Sequence, residues 1–453
     1  MSGSHFLIKK SGPLNGTAYV NGAKNAVLVI ITSLILTEGV SVLANVPNNA
    51  DVRIMIKLLE GLGALVNFDI ITKKLTVDTS GIHRHEISPE NMKAMRASIL
   101  VMGPLLARFG KTSVAYPGGD LIGQRPINYH LNGFKKFGIT IEYQEPYVMA
   151  SCKPSEERPD YTRITLEYPS VGATENLMMF ACLGKGQTVI INAALEPEIF
   201  DLIDILKKMG ATIDILPGAT IAITAVQRLN PVVHEIIADR LEVGMLMLAA
   251  AITGGSITIP NAQSDHLDIF IEKLREMGHT IHVAFDPKTY QPLPGIALKA
   301  TSKPQAISIK TGPYPGFPTD LQPLIMASLC LADGISVVEE TVYENRMLHA
   351  KELSKMGAQI AVDRATATIH GIAELYGSEV IASDIRASCA LVLAGLVAVG
   401  QTKMTGIHHW QRGYDKLEEK INALGGIMEL ATEEPMSSIE QLVDPRSIQK
   451  PLL

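Results

Sequence analysis

Apolar and polar positions along this chain switch between two periods, and the switch recurs six times. In each copy, apolar residues at helical spacing run to a glycine, and an alternating, strand-like stretch follows. The copies read IKLLEGLGALVNF, LNGFKKFGITIEY, LIDILKKMGATIDI, IEKLREMGHTIHV, LSKMGAQIAV and INALGGIMEL. Their glycines, Gly63, Gly138, Gly210, Gly278, Gly357 and Gly425, are spaced by 68 to 79 residues. A glycine just past a helix suits a left-handed C-terminal cap. A second phrase, a glycine with a short β-branched run and a loop, precedes the copies, as in EGVSVLANVPNNAD, GQTVIINAALEPEIFD, GGSITIPNAQSDHLD and DGISVVEETVYENRMLH. Each unit therefore predicts helix, strand, loop, helix, glycine cap and strand, often with one more strand. Near-even spacing over six copies points to duplication of one unit.

Units of about 70 residues, three to a domain, predict two domains. The first is expected over 22–236, with a glycine-rich loop at 112–126. The second is expected over 1–21 and 237–431, because a strand pattern over 6–20 precedes the first unit and is assigned to the second half. The chain then crosses twice between the halves, leaving a cleft, a common place for ligands. Residues 432–453 show no sustained periodicity and read as an extension.

A positional pattern overlies the repeats. Lys24-Asn25 precedes AVLVIITSLIL, Arg96-Ala-Ser precedes ILVMGPLLA, Arg240 precedes LEVGMLMLAAA, and Arg386-Ala-Ser precedes CALVLAGLVAV. A cation at a helix N-terminus is unfavourable by itself. It makes sense where cation and free N–H groups share an anion. The plainer alternatives are repeat copying and pairing with a local carboxylate. Arg125, Arg346 and Arg412 stand in loops after unit strands, and each alone is ordinary surface. Polar groups mark the remaining helix starts, with Ser170 and Thr174 in SVGATENLMM and Asp320 in FPTDLQPLIM. For Asp320 two readings stand, a helix N-terminal charge or a base over a substrate hydroxyl.

Composition narrows the picture. Hydrophobic residues make up 47% of the 453, enough for large cores, and the net charge is -6. That excludes a general nucleic-acid binder and leaves room for a local basic cleft that takes a small polyanion. Four cysteines, Cys152, Cys182, Cys330 and Cys389, lie far apart with no CxxC, as expected in a reducing compartment. The start, MSGSHFLIKK, has no apolar segment, so neither a signal peptide nor a membrane insertion is expected, and the location reads as cytoplasmic. The stretch YPGGDLIGQRP, with Asp120 among its glycines, fits either a turn or a catalytic acid on a mobile lid.

The phrases NGAKNA, MRASI with GPLLARFG, PGGDLIGQRPINYHL, SVGATENLM, NAALEPEI, PTDLQ, ENRMLH, SDIRASCALVLAG and RGYDKLEEK resemble those of the enolpyruvyl transferases, over about residues 12 to 430. The resemblance implies a two-domain inside-out α/β barrel of six βαβαββ units. It implies two small-molecule substrates, phosphoenolpyruvate (PEP) and UDP-N-acetylglucosamine, with shikimate 3-phosphate as the alternative acceptor and a non-catalytic UDP-sugar sensor as the alternative role. No cofactor, metal or nucleic acid is expected.

The resemblance also implies residue roles. Lys24, Arg125 and Arg412 clasp PEP and its phosphate, and Arg346 and Arg386 hold its carboxylate or the intermediate. Asp320 takes the sugar hydroxyl proton, while Asn25 and Arg96 face substrate groups. His130, Ser170, Val171 and Gly172 line the uridine and diphosphate region. Glu196 and Arg240 belong to the closure network, and Asp384 supports Arg386. Many relatives carry cysteine where this chain has Asp120. That cysteine is what fosfomycin alkylates, so the resemblance implies an aspartate proton donor, its carboxyl raised by burial on closure or reloaded by another group, and insensitivity to the drug.

Overall fold

The computed structural model describes residues 3–432 apart from 121, 124, 125, 155 and 156. The expected extension, save Thr432, and Arg125 lie outside the described residues. The third unit shows how one copy is built. Strand Tyr161–Thr165 leads to the buried helix Val171–Ala181, strand Gln187–Ile191, helix Pro197–Met209 and the hairpin Thr212–Leu216 with Thr220–Thr224. Gln187 pairs with Tyr161 in a parallel ladder and with Thr224 in an antiparallel one. The order of strands is therefore hairpin edge, hairpin return, central strand, parallel edge, and it recurs in three of the other four-stranded sheets, while in the fourth Met428–Thr432 and Ser4–Lys9, far apart in sequence, take the two hairpin positions. The second unit departs from it, with three strands and a single parallel bridge between Glu86 and Ser113.

All six repeat glycines have positive φ, from +79° at Gly138 to +113° at Gly63. An L side chain there would press Cβ against the following carbonyl, which is why glycine ends each of these helices.

The helices that open the units, such as RLEVGMLMLAAAI over Arg240–Ile252 and IRASCALVLAGLV over Ile385–Val397, are apolar all round and bury nearly every residue. A helix with no polar face belongs inside. The sheets cover these helices with one face and show the other to solvent, so the helices are inside and the sheets outside, an inside-out α/β barrel. Two separate apolar cores result, one from residues 23–236 and one from residues 6–20 with 241–428. In the first core Gly103 lets two helices nearly touch, since a Cβ there would lie 2.2 Å from the Asn176 carbonyl. Cys182, Cys330 and Cys389 are buried among apolar neighbours.

The strand read over 6–20 is two strands, because Ser11-Gly12-Pro13 interrupts it and proline cannot donate to a ladder. Ser4–Lys9 lies between Gln401–Thr405 and Met428–Thr432, and Asn15–Thr17 runs parallel to Ser256–Ile259. Val233–Glu235 returns to the other core, parallel to Val40–Ala44. The two crossings lie side by side, with Ala23 N–H donating to the Ile237 carbonyl (2.7 Å) and Asp239 N–H to that of Asn21 (2.9 Å). No helix among the described residues is long and apolar enough to cross a membrane.

Candidate active site

The crossings bring helix starts from both cores together. Lys24 opens helix Lys24–Ser33, which has no side-chain cap of its own, and its backbone N–H donates to Asp239 Oδ2 at 3.2 Å. Asp239 is itself the cap of the helix beginning at Arg240. The Lys24 ammonium lies 3.2 Å from Oδ2 of Asp51, a buried acid in the first turn of helix Ala50–Leu62. Arg412, from the other core, donates to Asp51 Oδ1 through Nε (2.9 Å) and to Asp120 Oδ1 through Nη1 (2.6 Å). A chain of alternating charge, Lys24, Asp51, Arg412, Asp120, therefore spans the two cores. His409 Nδ1 stands 3.4 Å from the same Asp120 oxygen.

This arrangement bears on the expectation for Asp120. Burial pushes its carboxyl up, but His409 and Arg412 outweigh burial and hold it well below the usual carboxylate range. As it stands Asp120 is an ion-paired carboxylate with no proton to give.

The glycines of its loop also have a use other than mobility alone. A Cβ on Gly118 would lie 1.9 Å from the Lys93 carbonyl oxygen, and one on Gly119, at φ +119°, would lie 3.0 Å from Arg96 Cβ. Gly118 N–H donates to the Met92 carbonyl at 3.2 Å. The loop is thus laid directly on the segment before Arg96. Its far side meets the second core, where the Ile122 carbonyl accepts Asn345 N–H at 3.1 Å.

A second charged cluster gathers in that core. Asp320 opens a helical turn, and its Oδ1 accepts Arg346 Nη2 at 2.5 Å and lies 3.4 Å from Arg386 Nε. Burial pushes Asp320 up, yet Arg386 and Arg346 hold it well below the usual range. Arg386 Nη1 donates to the Tyr414 hydroxyl at 2.6 Å. Asp384 caps the helix, accepting Arg386 N–H at 2.8 Å and Ala387 N–H at 3.0 Å. The cations that looked misplaced at helix starts therefore stand beside capping acids and a partly exposed Asp320 (26%).

The other expected residues fall around these clusters. Ser170 caps helix Val171–Ala181 through Ala173 N–H, and Gly172 brings that helix start close to His130. His130 is buried and pushed down to about 3 by burial, with the Arg96 charge adding to it. Its Nδ1 sits 3.0 Å from Asn176 Nδ2, so it accepts there as a neutral ring. Asn25 is partly exposed beside Lys24 and makes no side-chain hydrogen bond among the described residues. Arg240 grips Glu198 in a two-point pair (3.1 and 3.2 Å), not Glu196. Burial and Glu198 push Glu196 up, and it accepts the Tyr314 N–H at 3.5 Å.

Several residues here were not singled out by the sequence reading. They are Asp51, Glu198, Thr319, His409 and Tyr414. Asn49-Ala50-Asp51 carries a helix-start signature, which explains Asp51 locally and hides its partner 361 positions away. Among the described residues one group, Asp201, Asp204 and His234, has the spacing to hold a metal ion. The Lys208 ammonium already sits there, 2.6 Å from Asp204 and 3.2 Å from His234.

A family profile described as EPSP synthase (3-phosphoshikimate 1-carboxyvinyltransferase) matches residues 8–421. A UDP-N-acetylglucosamine 1-carboxyvinyltransferase of Geobacter metallireducens is 45% identical over 421 residues, 92% of this chain and 97% of that one. One from Caldanaerobacter subterraneus subsp. tengcongensis is 45% identical over 420 residues, 93% of this chain and 98% of that one. Among solved structures, the enolpyruvyl transferase NikO from Streptomyces tendae superposes with a TM-score of 0.85 at 22% identity, covering 95% of this chain and all of that one. An EPSP synthase from Acinetobacter baumannii superposes with 0.72 at 17% identity over 95% of this chain. At those identities the two structures speak to the fold alone. The curated relatives and the profile carry the rest, and the chain belongs to the enolpyruvyl transferase family, as an enzyme of the 1-carboxyvinyltransferase type.

Proposed function

We propose that this enzyme moves the enolpyruvyl group of PEP to the 3-hydroxyl of UDP-N-acetylglucosamine and releases phosphate, in cytoplasmic peptidoglycan precursor synthesis. Residues 22–236 act as one closing domain, and 1–21 with 237–431 as the other. The observation that carries this reading is the bridge of Arg412 to Asp51 and Asp120 across the two cores. It supports the reading because cations suited to a phosphate stand beside a carboxyl of the glycine-rich loop.

PEP has to be protonated on its methylene carbon, which gives oxocarbenium character at C2. The sugar hydroxyl then attacks, and the tetrahedral ketal loses a proton and phosphate. Arriving phosphate competes with Asp120 for Arg412, with Lys24 and Arg125 sharing the load. Once Arg412 turns to phosphate, Asp120 loses one of the two groups that depressed it, His409 remaining, and gains an anionic neighbour. Both changes raise its affinity for a proton, and the protonated carboxyl donates to PEP C3. Asp320 stays ionised between Arg346 and Arg386. It is a weak base, and it suffices because the hydroxyl becomes acidic as its oxygen bonds to C2. Cations already in place around the departing phosphate need no reorganisation.

Phosphate release measured with PEP and either UDP-N-acetylglucosamine or shikimate 3-phosphate tests the acceptor. Turnover with the UDP-sugar alone, undiminished by fosfomycin, is expected. Turnover only with shikimate 3-phosphate overturns the acceptor, and binding of the UDP-sugar without PEP consumption overturns catalysis.

A further inference from the structure

We propose that Glu340 is a positioning residue for Asp320, acting through the Thr319 hydroxyl and Arg346. The proposal rests on the reading of Asp320 as the base. Glu340 is 3% exposed and follows strand Ile335–Glu339. Its two oxygens do different work. Oε1 accepts the Thr311 hydroxyl (2.9 Å) and the N–H groups of Val342 (2.8 Å) and Tyr343 (3.1 Å), which folds the turn leading to Arg346. Oε2 accepts the Thr319 hydroxyl at 2.8 Å. A turn needs only the first oxygen. The second reaches across to the residue before Asp320.

That bond sets a polarity. A hydroxyl has one proton, and Thr319 gives it to Glu340, so its lone pairs face Arg346 Nη1, which donates to it at 3.0 Å. Arg346 Nη2 donates to Asp320 at 2.5 Å. Two anchors on different atoms fix the guanidinium plane, and Nε is buried with no hydrogen-bond partner among the described residues. Glu340 thereby holds Arg346 and Asp320 in one geometry while its own carboxylate stays behind Thr319. Misplacing a reacting group slightly is enough to slow a reaction without weakening substrate binding.

Thr319→Val keeps the shape and removes the hydroxyl. In Glu340→Gln the amide oxygen has to stay at the two backbone N–H groups, so the NH2 faces Thr319 and presents a donor where an acceptor stood. For each variant of the full chain, kcat, both KM values and the melting temperature are measured by phosphate release and thermal unfolding. The expected result is a fall in kcat of about tenfold or more, with both KM values within about threefold and melting little changed. Thr319→Ser retains kcat. The double variant is no slower than the slower single one, since both changes cut the same link.

Wild-type kcat in Thr319→Val overturns the proposal, as does a kcat kept while KM rises, or single losses that multiply in the double variant. If Glu340→Gln fails to fold, the two Thr319 variants decide alone. Asp320→Asn separates this from the reading beneath it. Turnover retained there removes Asp320 as the base. An inactive Asp320→Asn beside Thr319→Val and Glu340→Gln at wild-type kcat removes the positioning role only.

Discussion

At Asp120 chemistry and surroundings pull in opposite directions. A proton donor at neutral pH needs a raised carboxyl, and this one is held down by His409 and Arg412 despite burial. The sign decides what substrate does. A depressed carboxyl stabilises the closed loop above the ordinary carboxylate range, near 4, and that contribution is lost as pH falls through the depressed value. If PEP draws Arg412 away as proposed, the depression is partly relieved, so its binding is expected to take up a proton, most at the acidic end of the working range and less as pH rises. Calorimetry in buffers of different ionisation heat reads this directly. Uptake that persists in Asp120→Asn would assign the proton elsewhere. Side-chain identity gives a second expectation. Intact mass after incubation with fosfomycin and the UDP-sugar shows no adduct on the native chain and a stoichiometric adduct on Asp120→Cys, which keeps transferase activity. An adduct on the native loop would remove the basis for insensitivity. Motif likeness singles out Asp120 in the sequence, whereas the depressed carboxyl was not visible there, because it depends on Arg412 arriving from 292 positions away.

Among elements, the six units were legible because their signals are local. Each helix ends where its apolar period meets a glycine, and all six glycines take positive φ. The break at 6–20 is signalled locally by Ser11-Gly12-Pro13, whereas the three-stranded second sheet was not legible, since pairing is decided by partner strands outside the local stretch. The loop at Asp120 shows the same limit. Pro-Gly-Gly reads as a turn, and only the fold reveals that Gly118 packs on the Lys93 carbonyl. Gly118→Ala puts a Cβ 1.9 Å from that backbone oxygen, a clash no rotamer relieves. The expected outcome is a loss of kcat/KM for PEP of at least about tenfold, with UDP-sugar affinity and melting temperature nearly unchanged, because the loop moves and the cores do not. Kinetics with binding titrations check it, and unaltered PEP kinetics would mean that the closed position is not the working one.

For the whole molecule the decisive acid is Asp51, which pairs Lys24 from its own core with Arg412 from the other. It lies almost wholly buried, with its side chain 3% exposed. Truncating one partner of a buried pair costs roughly 3–5 kcal/mol; here it leaves Lys24 without its acid and Arg412 with Asp120 alone. In Asp51→Asn two cations face each other across the crossing, and the cores are expected to part. Small-angle scattering should give a larger radius of gyration than the native chain, with activity falling by about a hundredfold or more, as that energy implies. An anion of the right size replaces the missing charge. Inorganic phosphate should therefore raise the melting temperature of Asp51→Asn by more than it raises that of the native chain, where Asp51 competes for the same cations. A phosphate effect no larger in Asp51→Asn than in the native chain would mean that Lys24 and Arg412 do not form one anion site, and the closing of the two cores would then have to be carried by the Arg240–Glu198 pair and the paired crossings instead.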